Sequence, residues 1–354
     1  MNFEPRWIAW ESTRRCNLSC IHCRSSSENC SYEGEYTTEE AKELLARISR
    51  DYKPVFVLSG GEPLLREDIF EIATFGTQVG LKMCLATNGT LIDDGICREI
   101  LRSGIKVVSL SLDGPNARVH DDFRRQDGAF DGVLRGIEFL KRYEIPFIIN
   151  SSFTKRNQKY IEETYRLAKK LGARAWYMFM IVPTGRGEDA FEELIDPVDY
   201  EKILVWHYYM EKDEKEMLVR PTCAPQYYRV VERMNMKEDE KLVRRNLKFG
   251  TGGSKGCIAA QYICFINNIG DVYPCSYFPF SAGNLREKSF KEIWENSELF
   301  KDLRDFGKYK DNCGACEYLN ICGGCRARAY AVKGDYLAGE PYCRYVPEKL
   351  RRKE

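Results

Sequence analysis

Apolar and polar positions follow two alternating patterns through the first half of the chain. Short apolar runs of strand length are each followed by a stretch in which apolar residues recur at helical spacing. The apolar runs predict six strands: Trp7–Ser12, Val55–Ser59, Lys82–Thr87, Lys106–Leu112, Pro146–Phe153 and Ala175–Val182. The stretches between them predict five helices, near Thr38–Arg50, Asp68–Val79, Asp93–Ser103, Phe130–Tyr143 and Gln158–Leu171.

Strands that alternate with helices predict βαβ units and therefore a parallel sheet. Gly80, Gly104 and Gly172 follow predicted helix ends, where a left-handed residue is favoured. Six such units fall two short of a full eight-unit barrel, so we predict an α/β fold built on a partial, open (β/α)6 barrel. In barrels of this kind the reactive groups lie at the carboxyl ends of the strands.

The second half of the chain has a different composition. Residues 196–246 are charged and helical in pattern, with a break at Arg220–Pro225. After Gly250 the sequence is rich in Cys and Gly, and its short apolar runs are too few for a large core, which favours a domain stabilised by metal. We therefore predict a partial barrel over 1–195, a helical bridging segment over 196–250 and a small Cys-rich domain over 251–354.

Charge and targeting signals narrow the classes of function. The chain has 354 residues with 54 Lys and Arg against 53 Asp and Glu, so no global field attracts nucleic acid or an anionic membrane. No signal-like or membrane-spanning apolar run is present, and we expect a cytoplasmic protein. Since cytosolic thiols stay reduced, 15 cysteines indicate metal or redox chemistry rather than disulfides.

The first cysteine group follows the first predicted strand. Cys16, Cys20 and Cys23 lie in one loop, and three thiolates would leave one iron of a [4Fe–4S] cluster without a protein ligand. A zinc site would need a fourth ligand, for which His22 is the candidate. The position of His22 inside the same loop makes joint ligation with its neighbours awkward.

The CxxxCxxC spacing after a strand resembles the radical S-adenosylmethionine (SAM) superfamily. The sequence Gly60-Gly61-Glu62-Pro63, which ends the second strand, resembles that family's GGEP motif. The resemblance implies that this motif holds the methionyl amino group of SAM, with Glu62 helping to satisfy the ammonium. It also implies an enzyme in which the reduced cluster cleaves SAM to methionine and a 5′-deoxyadenosyl radical, which oxidises the substrate.

Polar residues at the other predicted strand ends are candidate contacts for SAM. They are Asn88, Ser109, Ser111, Asp113, Asn150 and Ser152. Arg186 follows the sixth strand, where similar proteins place an arginine near the SAM carboxylate. Each residue alone is also what strand-to-turn boundaries favour, so polar strand ends without a ligand remain the alternative.

The C-terminal cysteines resemble the SPASM extension of radical SAM enzymes, which carries one or two auxiliary [4Fe–4S] clusters. The resemblance implies a crossed ligand pattern. The first auxiliary set would be Cys257, Cys264, Cys275 and Cys325, and the second would be Cys313, Cys316, Cys322 and Cys343. Four thiolates alone can equally hold zinc, and the motifs upstream favour iron and sulfur.

Four cysteines remain outside these groups. Cys84 and Cys97 lie in a predicted strand and a predicted helix, which favours buried structural thiols, and Cys30 has no assignment. Cys223 begins a helix-like stretch near the expected substrate side. A catalytic or ligand role for Cys223 therefore stays open beside the structural one.

Four stretches, 9–24, 222–229, 262–265 and 322–330, resemble the enzymes of the siroheme-dependent haem pathway that convert Fe-coproporphyrin III to haem b. Such enzymes oxidatively decarboxylate two propionates to vinyls, with electrons from a low-potential donor such as ferredoxin or flavodoxin. The substrate would need an aromatic cavity and cations for its propionates. Basic candidates on loops are Arg24, Arg124, Arg125, Arg186 and Arg229.

Three alternatives to this function remain. A didecarboxysiroheme deacetylase or a haem d1 enzyme would share the cofactors. A SPASM peptide maturase would share the architecture, although many carry an N-terminal peptide-recognition domain, for which the residues before Trp7 leave little room. A non-catalytic iron–sulfur carrier or sensor would not need the GGEP motif or the polar strand ends.

Overall fold

The structure is a computed structural model that describes residues 3–187, 191–243 and 255–351. Its centre is a parallel sheet in which six strands are adjacent in chain order. They are β1 (Trp7–Thr13), β2 (Val55–Gly60), β3 (Lys82–Thr87), β4 (Val108–Ser111), β5 (Phe147–Phe153) and β6 (Ala175–Met180). The predicted α/β partial barrel is confirmed.

Six helices connect these strands. They are α1 (Thr38–Asp51), α2 (Ile69–Gln78), α3 (Asp94–Arg102), α4 (Ala117–Arg124), α5 (Ala129–Arg142) and α6 (Ile161–Leu171). Thr37 and Glu40 form a reciprocal capping box that starts α1. Helix α4 was not predicted, because its eight residues are mostly polar; the Asn116 side chain caps it by accepting from the Val119 N–H.

Side chains of each strand alternate between the helices and the concave face of the sheet. In β6, Trp176, Met178 and Met180 join the core between sheet and helices, whereas Tyr177 and Phe179 are half-buried on the other face. The concave face is therefore where a substrate can enter.

The sheet extends beyond the six units at both edges. Strand β7 (Leu218–Thr222) lies parallel to β6, between α7 (Pro197–Asp213) and α8 (Gln226–Asn235). The bridging segment 196–250 was predicted to be helical with a break at Arg220–Pro225, and β7, a short strand that contains Pro221, lies at that break. Proline is tolerated there because β7 is an edge strand in the described part of the sheet, where a missing N–H need not remove a ladder hydrogen bond.

The opposite edge is formed by the C-terminal region. Strand β8 (Ile263–Ile266) lies parallel to β1, and β9 (Asp271–Tyr273) and β10 (Gly283–Asn284) follow in antiparallel order. Six short helices complete the region: α9 (Phe290–Asn296), α10 (Glu298–Arg304), α11 (Asp311–Ala315), α12 (Leu319–Cys322), α13 (Arg326–Lys333) and α14 (Glu348–Arg351).

The C-terminal region shares the core of the barrel. Phe290, Trp294, Phe300 and Leu303 are buried in the same apolar cluster as the barrel helices. We expected too few apolar residues in 251–354 for a large core of its own. These four side chains pack on one another, with the Trp294 and Phe300 ring centroids 5.4 Å apart, and share the core of the barrel. Within the described residues, no helix is long and apolar enough to cross a membrane.

The turn from α7 into β7 depends on one carboxylate. The Glu214 side chain is fully buried and accepts hydrogen bonds from the backbone N–H groups of Glu216 (2.7 Å) and Met217 (3.0 Å). It also accepts from the Tyr165 hydroxyl and lies 3.1 Å from Lys169 Nζ. Burial alone would raise the pKa of Glu214, but these hydrogen bonds outweigh burial and lower that pKa to about 2.

We predict that Glu214→Gln lowers the free energy of unfolding at pH 7 by about 1–3 kcal/mol, because buried donors lose their charged acceptor. Urea unfolding followed by tryptophan fluorescence measures this. The stabilisation by Glu214 is present above 4.5, the pKa of an ordinary glutamate, and is lost as the pH falls towards about 2, so the two proteins should converge in acid. Glu216→Gln, at a side chain 77% exposed, is the control and should change little.

Candidate active site and cysteine clusters

Polar side chains of several strands meet at the carboxyl end of the concave face. Ser109 and Ser111 of β4 and Asn150 of β5 are half-buried there, and Asn150 Nδ2 donates to Ser109 Oγ at 2.8 Å. Ser152 lies on the same face of β5 and is 9% exposed. The structure therefore brings these four predicted residues together, and their contact with SAM stays a prediction.

The three cysteines of the first loop converge beside this face. Cys16 and Cys20 are buried around Leu18, with Cys23 packed against them. Burial is the main cause that raises the pKa of Cys16 to about 12, and negative charge at neighbouring Cys20 and Cys23 adds to it. Three thiolates held together need a compensating cation, and the iron of a cluster supplies one, so this donor set fits the predicted group.

The GGEP motif supports the cysteine loop through backbone contacts. The Gly61 N–H donates to the Thr13 carbonyl and the Glu62 N–H to the Arg15 carbonyl, both at 2.8 Å. A Cβ atom on Gly61 would lie 2.4 Å from the Arg15 oxygen, and one on Gly60 would lie 2.3 Å from the Thr13 oxygen. The glycines are thus required for close approach to the protein's own cluster loop, in addition to any approach to SAM.

The Glu62 carboxylate faces protein donors. It is fully buried and accepts from Thr87 Oγ1 (2.7 Å), the Asn88 N–H (2.8 Å) and the Leu64 N–H (3.1 Å). Burial raises the pKa of Glu62 to about 7, against these hydrogen bonds. The side chain joins the ends of β2 and β3, with Pro63 buried beside it, and its contact with the SAM ammonium stays a prediction.

Asn88 connects the end of β3 to the cysteine loop. Its Nδ2 donates to Asn17 Oδ1 at 2.8 Å, and Asn17 Nδ2 in turn donates to Thr90 Oγ1 at 3.0 Å. The predicted strand-end residue Asn88 is thus beside the cysteines, with its side chain engaged by the loop.

A buried ion pair supports the other side of the loop. The Arg124 Nε lies 2.6 Å from Asp113 Oδ2, and its Nη1 donates to Cys20 Sγ at 3.5 Å. Asp113 is fully buried and also accepts from the Ser152 N–H at 2.7 Å. Asp113 was predicted to meet SAM, but its burial and partners give it the role of placing Arg124 against a cluster cysteine.

Arg186 also binds the loop. Its Nε donates to the Cys20 carbonyl (3.0 Å), its Nη1 to the Ser27 carbonyl (2.9 Å) and its backbone N–H to the Cys23 carbonyl (3.0 Å). Arg186 was predicted near the SAM carboxylate, whereas its Nε and Nη1 donate to the loop. Among the described residues, Nη2 has no hydrogen-bond partner, so its N–H groups remain available for that prediction.

His22 packs on an aromatic ring. Its imidazole stacks on Phe123 with the ring centroids 4.5 Å apart, and burial lowers its pKa well below the usual range. This packing gives His22 a structural role in the loop.

The second predicted auxiliary set is gathered in one place. Cys313, Cys316, Cys322 and Cys343 line one cavity. Two donors approach Cys313 Sγ, namely Arg326 Nη2 at 3.4 Å and the Glu340 N–H at 3.3 Å. Hydrogen bonds to cysteine sulfur are typical of iron–sulfur sites, so these residues fit a cluster.

The first predicted auxiliary set is incomplete. Burial raises the pKa of Cys275, and the neighbouring charges of Cys325 and Cys257 raise it further, so these three thiols are near one another. Cys264 is fully buried on the helix-facing side of β8, next to Ile8 of β1. Strand alternation turns the Cys264 side chain into the apolar core, and the ligand role that the resemblance implies for it stays a prediction.

A single metal ion and a cluster make different demands on these cysteines. Within residues 3–187, 191–243 and 255–351, no three His, Cys, Asp or Glu side chains are arranged to hold a single metal ion. A cubane cluster is wider than one ion, so its cysteine sulfurs stand further apart.

We predict on the order of twelve irons per chain after anaerobic reconstitution, four for each of three clusters. Joint replacement of Cys16, Cys20 and Cys23 by Ala should remove about four of them and abolish SAM cleavage, because this is the cluster that the radical SAM resemblance pairs with SAM. Iron analysis and 5′-deoxyadenosine release measure both. Continued 5′-deoxyadenosine release would refute the assignment.

We also predict that Gly61→Ala slows SAM cleavage roughly 100-fold, as expected when a site shifts by about 1 Å. The added methyl meets backbone oxygens at 2.4 and 2.6 Å, which no side-chain rotation relieves. Chromatographic measurement of 5′-deoxyadenosine against time tests this. Gly95→Ala in α3, where the nearest atom is a side-chain oxygen at 3.3 Å, is the control and should cleave SAM at the normal rate.

Comparison with protein families matches two models to this chain. The radical SAM superfamily matches residues 10–168, and an iron–sulfur cluster-binding domain, SPASM, matches residues 257–325. These matches agree with the two cysteine regions, and the cofactors are a [4Fe–4S] cluster with SAM and auxiliary iron–sulfur clusters in the second region.

Individual proteins give the same result over nearly the whole chain. An AdoMet-dependent heme synthase of Methanosarcina barkeri is 48% identical over 349 residues, covering 99% of both chains. An Fe-coproporphyrin III synthase of the same organism is 31% identical over 97% of this chain and 88% of its own. The crystal structure of Streptococcus suis SuiB has a TM-score of 0.74 at 17% identity, covering 97% of this chain and 78% of that one, which shows the fold. This chain is therefore a radical SAM enzyme with a SPASM domain, and it belongs to the family of AdoMet-dependent haem synthases.

Proposed function

We propose that this enzyme converts Fe-coproporphyrin III to haem b by oxidative decarboxylation of two propionate side chains to vinyls. The observation that carries the proposal is the 48% identity, over 99% of both chains, to an AdoMet-dependent heme synthase. Identity to the relative named Fe-coproporphyrin III synthase is 31%, which favours a role in using that porphyrin over one in making it.

The reaction on each propionate balances as follows. A hydrogen atom leaves the β-carbon, carbon dioxide leaves from the carboxylate, and one further electron must depart before the carbon–carbon double bond forms. When bound, SAM and the cluster at Cys16, Cys20 and Cys23 supply the hydrogen-abstracting radical. Two vinyls therefore consume two SAM molecules and release two carbon dioxide molecules and two electrons.

Aromatic side chains on the concave face suit a flat macrocycle. Tyr177 and Phe179 of β6 face it from one side, and Phe265 of β8 and Tyr273 of β9 pack together on the other, with ring centroids 6.1 Å apart. Aromatic surfaces of this kind stack on extended π-systems and exclude water from them.

Arg24 is the residue that we assign to a substrate propionate. It follows Cys23 directly, its guanidinium lies 3.9 Å from the Phe265 ring centroid, and its Nη1 lies 3.6 Å from Glu11 Oε1. A guanidinium beside an aromatic face can bind both the carboxylate and the edge of a stacked ring.

The other basic candidates are committed elsewhere or exposed. Arg124 and Arg186 bind the cluster loop, as described above, and Arg229 makes two hydrogen bonds to Glu201 at 2.9 and 2.6 Å. Arg125 lies exposed at the end of α4. This leaves Arg24 beside the concave face.

The auxiliary clusters offer a route for the departing electron. Tyr277 is half-buried two residues after the auxiliary cysteine Cys275. We assign the auxiliary clusters as the first acceptors of the two electrons. A low-potential donor such as ferredoxin or flavodoxin would reduce the first cluster.

We predict that anaerobic incubation with Fe-coproporphyrin III, SAM and a reductant yields haem b through stepwise loss of two formic acid equivalents, seen by mass spectrometry. Two 5′-deoxyadenosine molecules should appear for each haem b. If the porphyrin is unchanged while SAM is still cleaved, the proposal fails and didecarboxysiroheme becomes the substrate to test.

The role of Arg24 is tested with the same assay. Arg24→Gln should lower kcat/KM for the porphyrin about 10- to 100-fold, the range for loss of a charged hydrogen bond, and leave cluster content unchanged. Arg125→Gln is the matched control on an exposed arginine and should behave as the wild type. Equal effects of both substitutions would contradict the assignment of Arg24.

A further inference from the structure

We propose that Cys223, supplied by the last parallel strand of the barrel, completes the first auxiliary cluster with Cys257, Cys275 and Cys325 in place of Cys264. The set is drawn from the barrel and the C-terminal region together. The inference concerns cluster ligation, and it does not depend on which substrate the enzyme uses.

The backbone at Cys223 is held in an unusual conformation. Its φ is +57°, in the left-handed region that non-glycine residues rarely adopt. Two buried groups hold its carbonyl oxygen: Arg328 Nη2 donates at 3.0 Å and the Tyr200 hydroxyl at 3.2 Å. A left-handed conformation is strained for cysteine, and such conformations cluster at functional sites.

Contacts on both sides tie Cys223 to the segments of its proposed partners. Arg328 lies on α13, whose N-terminal flanking residue is Cys325. Pro225, two residues after Cys223, packs against Gly256, where a Cβ atom would meet the Pro225 Cβ at 2.8 Å. Gly256 precedes Cys257 directly. The contacts of Arg328 and Pro225 therefore connect the chain segments that carry Cys223, Cys257 and Cys325, three of the four proposed ligands.

Packing also brings the proposed ligands towards one another. Cys223, Cys275 and Tyr277 are partly buried against the apolar cluster to which Cys325 belongs. This packing agrees with the contacts of Arg328 and Pro225 described above.

The surroundings of Cys264 are different. Its register partner is Ile8, and it belongs with Ile266 to the core that faces the helices, whereas Phe265 between them faces the concave side. Burial raises the pKa of the Cys264 thiol and the Arg304 guanidinium lowers it, and no other thiol of the described residues affects that pKa. For Cys264 to reach the other cysteines, the pairing of β8 with β1 would have to shift by one residue. That shift would turn Phe265 away from the concave face and towards the helices.

The charge of four thiolates is offset locally. Arg328 is 1% exposed, and its Nη1 lies 3.3 Å from Glu340 Oε1 while its Nη2 holds the Cys223 carbonyl. A buried guanidinium beside a thiolate-ligated cluster lowers the cost of its negative charge. This charge is in the right place for a cluster at Cys223.

The test uses the full-length protein with Cys16, Cys20 and Cys23 replaced by Ala, so that all remaining iron is auxiliary. Cys223→Ala or Cys264→Ala is added, and iron content and Mössbauer spectra are recorded after anaerobic reconstitution. We expect Cys223→Ala to lose about four irons, or to retain a three-iron cluster, while Cys264→Ala keeps its iron. The four irons expected at Cys313, Cys316, Cys322 and Cys343 should remain in every variant, and their presence shows that the C-terminal region has folded.

Cys223→Ser is the conservative variant, since an oxygen ligand can retain a cluster with an altered spectrum. It should hold more iron than Cys223→Ala, and its Mössbauer parameters should differ from those of the parent. Full iron with an unchanged spectrum in both Cys223 variants would overturn the proposal. Loss of iron from Cys264→Ala equal to that from Cys223→Ala would overturn it as well.

Discussion

The cost of forming thiolates at three buried, neighbouring cysteines is the constraint on which the site depends. A loop with three such groups keeps its shape without metal only if other parts of the protein fix its backbone. Gly61 and Glu62 donate to carbonyl groups at one end of the loop, and Arg186 binds those of Cys20 and Cys23 at the other. Glu62, Asn88, Asp113 and Arg186 thus support the loop, which holds the three cysteines that would bind the cluster beside the concave face.

The C-terminal region is joined to the barrel by strand pairing in the sheet, and the proposed first auxiliary cluster would join the two regions as well. Strand β8 pairs with β1, the strand that leads into the first cysteine loop, so both cysteine regions are placed by neighbouring strands. The aromatic pair Phe265 and Tyr273 belongs to this extension and faces the same cavity as the polar ends of β4 and β5. Substrate contacts and electron acceptors can therefore be close together without a long connecting helix.

Periodicity and motif spacing predicted the six barrel strands and the two cysteine regions, because these depend on local pattern. They did not predict β7, because this strand has five residues, contains Pro221 and is stabilised by its pairing with β6. The resemblance assigned Glu62, Asp113 and Arg186 to SAM, and those contacts stay predictions, because a sequence identifies the strand end but not the protein groups that each side chain also meets. The proposed exchange of Cys264 for Cys223 has the same origin: the order of cysteines was visible, but the face to which a strand of four residues turns its thiol depends on pairing with β1.

The ends of the described sheet have a consequence for the protein before its clusters are in place. An exposed strand edge offers unpaired N–H and C=O groups to other chains and so promotes aggregation. At one edge Pro221 removes a donor from β7, and at the other β10 has only two residues, Gly283 and Asn284. Neither edge is therefore a good template for the addition of a strand from another chain. This disfavours aggregation of the newly synthesised protein before its iron–sulfur clusters are assembled.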